Sequence, residues 1–194
     1  RLPTPSRIGH SGGMIRYAIA SLFLLLWANS AFAQMPTPPE RKAEPTHRDI
    51  AYAPPMPATG KGHLLDLYLP EKTAGKLPLV IWTSGSAFLS DAGKEGARYM
   101  APELLSAGFA VAGVSVRSSA QVKFPGNLHD IKAAVRFLRA NAATYGIDPD
   151  RIAIMGDSSG GWTAAMAALT GDAPAMEGKI GTTGVASAVQ AAVA

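Results

Sequence analysis

The 194-residue sequence contains no cysteine. Disulfides, zinc–thiolate sites and a lipid anchor through cysteine are therefore excluded. Charge is sparse as well: 16% of residues are charged, against about 25% in an average soluble domain. The net charge of +4 is unevenly placed. Arg1, Arg7 and Arg16 lie in or before an N-terminal apolar stretch, and the remainder of the chain is close to neutral. No basic run or aromatic-interleaved basic patch is left, which argues against nucleic acid as a partner. The N-terminal apolar run falls short of the about 20 residues that a membrane-spanning helix needs, and no repeat at solenoid spacing is visible. Histidine is scarce. The four are His10, His47, His63 and His129.

That N-terminal run reads as a leader. Arg16 supplies a positive start, Ala18 to Trp27 (AIASLFLLLW) an apolar centre, and Ala31-Phe32-Ala33 an A-x-A cleavage site. Residues 14–33 are accordingly expected to be a signal peptide, giving a secreted or periplasmic protein without a stable membrane anchor. Residues 1–13 are expected to be an upstream extension. Residues 34–45, rich in proline and poor in large apolar side chains, are expected to be a disordered or extended arm.

Twenty glycines and fifteen prolines suggest a chain with many turns. Residues 46–52 and 62–69 are short candidate strands. The continuous apolar runs 77–83 (LPLVIWT) and 109–116 (FAVAGVSV) have the character of buried strands. Helices are predicted over 96–107, 125–145 and 159–169, with further strands at 151–155 and 185–193. In the helix from Pro125, Leu128, Ile131, Val135 and Leu138 form an apolar stripe, and Lys132, Arg136 and Arg139 are expected to face away from it. His63 is expected near a sheet edge. Strands alternating with helices imply an α/β fold, a mainly parallel sheet with helices on both faces. Ligands in such folds bind beyond the carboxyl ends of the strands.

One strand–turn–helix stands out there. Gly156-Asp157-Ser158-Ser159-Gly160 fits Gly-x-Ser-x-Gly, with an apolar strand leading in and an apolar-periodic helix leading out. Such a turn holds a serine hydroxyl clear of the sheet, and Gly156 and Gly160 allow strand and helix to approach closely. Gly9-His10-Ser11-Gly12-Gly13 fits the same pattern without a strand before it, so the pattern alone decides nothing. Ser158 is the candidate nucleophile. The backbone N–H of Ser159 lies where it can donate to a developing oxyanion. Asp157 is expected to project away from Ser158 and be structural. After strand 77–83, the small residues Ser84-Gly85-Ser86-Ala87 suit a second oxyanion element. Phe88, Phe124 and Trp162 are candidates both for a pocket lining and for core packing.

Further segments join this elbow in a resemblance: Asp66-Leu67-Tyr68-Leu69-Pro70, Leu77 to Trp82, Phe124-Pro125 with Asp130, Ala133 to Asn141, and Tyr145 to Ile152. With them, residues 46–194 resemble the α/β-hydrolase superfamily, in the secreted esterase/lipase branch that includes feruloyl- and acetyl-xylan-esterase-like proteins. The resemblance implies hydrolysis of a small-molecule or carbohydrate-linked ester through an acyl-enzyme on Ser158. The N–H groups of Ser86, Ala87 and Ser159 would hold the oxyanion, with no cofactor and no metal. Many relatives carry His-Gly-Gly where this sequence has Ser84-Gly85-Ser86, and a positive φ at residue 86 would strain a serine.

The resemblance also sets the triad order: Ser, then Asp or Glu, then His. No histidine follows Ser158, and only Asp172 and Glu177 are acidic beyond it. Residues 46–194 are therefore expected to be the N-terminal part of a hydrolase domain, inactive alone. A prolyl-oligopeptidase-type peptidase and a non-catalytic hydrolase-fold protein are the alternatives. His129 is expected at the surface and not as a base, with Asp130 paired to Arg117 as a structural element.

Overall fold

The computed structural model describes residues 41–194. The expected leader, the upstream extension, the Gly9–Gly13 pattern and most of the expected arm lie outside them. Residues 41–45 have no regular secondary structure, and the Ala43 N–H donates to the Arg98 carbonyl at 2.9 Å.

Six strands form one sheet: β1 (His47–Ala51), β2 (Leu64–Tyr68), β3 (Leu77–Thr83), β4 (Ala110–Val114), β5 (Ile147–Gly156) and β6 (Ala191–Val193). Their spatial order is β1-β2-β4-β3-β5-β6. β2 runs antiparallel to both β1 and β4, while β4, β3, β5 and β6 are mutually parallel. The helices are α1 (Ala97–Ser106), α2 (Gly126–Ala140), α3 (Ala142–Tyr145) and α4 (Ser159–Leu169).

Strand alternation sorts the core into two layers. Leu65, Leu67, Leu79, Ile81, Ile152 and Ile154 meet Leu128, Ile131, Val135 and Leu138 of α2 and Ala164 and Ala167 of α4. On the opposite face, Tyr68 and Val111, with Trp82, pack on Ala97 and Ala101 of α1. This is the α/β-hydrolase arrangement, with helices on both faces of a mainly parallel sheet.

One expectation gains a detail and one changes. Lys132 and Arg136 do turn away from the sheet, but they are 0% and 1% exposed. The segment after α4 covers them: Lys132 Nζ donates to Thr170 O and Glu177 Oε2, and Arg136 donates to Glu177 and to the carbonyls of Ile180 and Thr182. Buried cations are tolerated because each charged nitrogen meets at least one oxygen. His63 is not at a sheet edge. It precedes β2, an interior strand, and is buried.

Candidate active site

β3 and β5 are direct neighbours, with Thr83 paired to Gly156. The residues after each strand, Ser84–Phe88 and Asp157–Ser158, therefore emerge side by side. A Cβ on Gly160 would lie 2.1 Å from the Thr83 carbonyl oxygen, and one on Gly156 would lie 2.4 Å from the Gly160 carbonyl carbon. These glycines let α4 start directly over the strand ends. Ser158 joins strand to helix at φ 51°, ψ −122°, a conformation costly for a residue with a Cβ. It leaves the side chain exposed above the first turn of α4, where the N–H of Ser159 has no helical carbonyl to reach.

The residues on either side of Ser158 hold the β3 loop. Asp157 Oδ1 accepts from the Gly85 N–H at 3.0 Å, and Ser159 Oγ accepts from the N–H of Ser86 at 2.9 Å and of Phe88 at 3.4 Å. Gly85 lies so close that a Cβ there would be 2.6 Å from Ser158 Cβ. Positive φ falls on Ala87 (52°) and Phe88 (59°), not on Ser86, so serine at 86 carries no left-handed strain. The Ser86 N–H, expected to be a free donor, is engaged by Ser159. Sequence reasoning assigned Asp157 no partner and Ser159 only a backbone role. Asking where the N–H groups of an all-small loop find acceptors would have pointed to these two short polar side chains.

Beside the loop, Phe88 and Phe124 each meet the Trp162 ring edge-on, at centroid distances of 5.5 and 5.9 Å. With Val122 and Asn127 they line a mainly apolar cavity of about 290 Å³. Phe124 and Trp162 are exposed rather than core residues.

No described histidine joins Ser158. His63 contacts Pro54 O at 2.6 Å through Nδ1 and Asp130 Oδ1 at 3.2 Å through Nε2. His47 packs edge-on against Tyr145. His129 is half-buried with its ring against Gly178, and burial lowers its pKa from the ordinary value. Among the described residues, no group of three or more His, Asp or Glu is placed to hold a metal, and no helix is long and apolar enough to cross a membrane.

The Arg117–Asp130 pair is present and structural. Arg117 donates to Asp130 through its backbone N–H (2.9 Å), Nε (3.0 Å) and Nη2 (2.7 Å). Burial pushes the Asp130 carboxyl up, but hydrogen bonds from His63 and Arg117 outweigh it and hold the pKa below the usual value. Asp130→Asn is expected to cost about 2–4 kcal/mol at pH 7, because the Arg117 charge loses its counter-ion. A carboxyl depressed in the folded state stabilises above its unfolded pKa of about 3.9 and loses that contribution as pH falls through the folded value. Urea melts should therefore show the wild-type advantage shrinking below about pH 4; an equal difference at pH 7 and pH 3 would contradict this.

Comparisons with known proteins agree with this fold. The BD-FAE family model matches residues 65–194. Esterase LipQ of Mycobacterium tuberculosis is 32% identical over 145 residues, covering 74% of this chain and 33% of the esterase. Among solved structures, the bifunctional GH43-CE protein of Bacteroides eggerthii superposes with a TM-score of 0.69 at 38% identity, over 75% of this chain and 22% of that one. A truncated carbohydrate esterase from gut microbiota gives a TM-score of 0.69 at 33% identity, over 80% of this chain and 57% of that one. The chain thus spans less than two thirds of each of these relatives. On fold and sequence together, the chain belongs to the BD-FAE family of α/β-hydrolase esterases.

Proposed function

We propose that these residues supply the nucleophile and oxyanion half of a serine carboxylic-ester hydrolase. The observation that carries this is Ser158, held at φ 51° on the elbow with the β3 loop fastened against it by its two neighbours. Ser158 Oγ attacks the ester carbonyl carbon and passes its proton to a general base. The N–H groups of Ala87 and Ser159 receive the oxyanion, the alcohol leaves with the proton, and water then hydrolyses the acyl-enzyme. The carbohydrate-esterase relatives favour a small-molecule or carbohydrate-linked ester as substrate. The leader over 14–33 favours action outside the cytoplasm.

His47 and His63 are engaged elsewhere and His129 packs against Gly178, so in this reading the base and its carboxylate are not among the described residues. The 194-residue chain is accordingly expected to turn over p-nitrophenyl acetate only slowly, since an unassisted serine is a weak nucleophile. Single-turnover acylation followed by peptide mass spectrometry tests both parts. An acyl adduct on Ser158 with slow release supports the reading. Fast, Ser158-dependent turnover by this chain would refute the missing base, and an adduct confined to another residue would refute the nucleophile.

A further inference from the structure

In a loop built of small residues, something other than side-chain packing must hold the backbone. Ser84–Ala87 buries no large side chain, and two of its residues and the one after them donate their N–H groups to the elbow. Two of those three bonds end on a single atom, Ser159 Oγ. We infer that the Ser159 hydroxyl is a positioning residue that sets the oxyanion loop, so that Ser86 serves as an anchor and Ala87 as the loop's donor to substrate. This rests on the reading of Ser158 as the nucleophile.

The geometry restricts the alternatives. With the Ser86 N–H on Ser159 Oγ and the Gly85 N–H on Asp157 Oδ1, both point back toward the elbow. The chain then turns through two successive positive-φ residues, Ala87 and Phe88, and the Ala87 N–H, between the two N–H groups that Ser159 Oγ accepts, has no hydrogen-bond partner among the described residues. The turn is closed by the Leu89 N–H on Ser86 O (2.9 Å) and the Ser90 N–H on Ser86 Oγ (3.1 Å). Phe88 O accepts from the Ser119 N–H at 2.8 Å, and its ring meets Trp162. The hydroxyl that fixes the loop thereby also sets one wall of the apolar cavity. Ser159 lines a small mixed pocket behind the loop with Ser84, Ser86, Phe88, Val116 and Thr163, with only about 10 Å³ of free space. That is at the lower limit for a single water, and the Ser159 hydroxyl itself supplies the acceptor for the Ser86 and Phe88 N–H groups.

The conservative pair Ser159→Thr and Ser159→Ala separates the hydroxyl from simple packing. Two readouts apply to the 194-residue chain. The first is amide hydrogen exchange by NMR. Ser159→Ala should speed exchange at Ser86 and Phe88 about tenfold or more and leave Ile81 and Ile154 unchanged, and Ser159→Thr should restore protection. The second is single-turnover acylation by p-nitrophenyl acetate. Ser159→Ala should lower the acylation rate constant about tenfold, with the half-saturating ester concentration within about twofold, as a weakened oxyanion site predicts. Wild-type exchange at Ser86 and Phe88 in Ser159→Ala would overturn the anchor. Faster exchange with unchanged acylation would overturn its positioning role. If the wild-type chain is never acylated at Ser158, the esterase reading falls, and the exchange rates alone decide the anchor.

Discussion

Ser158→Ala is expected to reduce ester hydrolysis by about 10⁴-fold or more in any form of the protein that carries these residues with a general base. The size of the effect reflects the lack of a substitute at the elbow. Asp157 is turned onto Gly85 and Ser159 onto Ser86 and Phe88, so neither neighbour can take over the attack. The cavity walls at Phe88, Phe124 and Trp162 do not touch the change, so KM should stay within about threefold while kcat collapses, the sign of an interaction used only in the reaction. Stability should be unaffected, since alanine at 158 keeps the same Cβ at the same strained φ. Steady-state kinetics and a thermal melt of the variant check both halves. A variant that retains more than about one hundredth of the wild-type kcat would place the nucleophile elsewhere.

The fold was legible where apolar runs are bounded by turn chemistry. β3 and α4 occupy the residues the pattern indicated, 77–83 and 159–169. Boundaries slipped where polar residues sit in ordered structure. β5 starts at Ile147 rather than 151 because Ile147 pairs with Leu77 across a register shift, despite Asp148, Pro149 and Asp150 in between. The single helix expected over 125–145 divides at Asn141, between α2 and α3. The strand expected over 185–193 is only Ala191–Val193. Periodicity set Lys132 and Arg136 away from the apolar stripe but gave no sign of their burial, because a helix pattern shows which side faces the sheet and not whether a later segment covers the other side. The Gly156–Gly160 turn could be read because it is one local run of five residues. Its fastening to the β3 loop joins residues 71 to 73 positions apart, and no local pattern carries that information.

Gly160→Ala is the substitution expected to damage both fold and site. The added methyl would sit 2.1 Å from the Thr83 carbonyl oxygen and 2.9 Å from the carbonyl carbons of Thr83 and Ser84. All three are backbone atoms, so no rotamer change can relieve the contact; the end of β3 or the start of α4 must move. Thr83 is buried in the parallel pairing with Gly156, which makes movement expensive. A loss of about 3 kcal/mol or more is expected. Gly146→Ala supplies the comparison. Gly146 has φ 68° but nothing within 4 Å of an added Cβ, so only backbone strain of about 1–2 kcal/mol applies. Urea unfolding should rank Gly160→Ala well below Gly146→Ala, and acylation of Ser158 should fall in Gly160→Ala alone, because displacing the end of β3 carries Ser84–Phe88 away from the elbow. If the two alanine variants proved equally stable and equally reactive, the close approach of α4 to β3 would not be what builds this site.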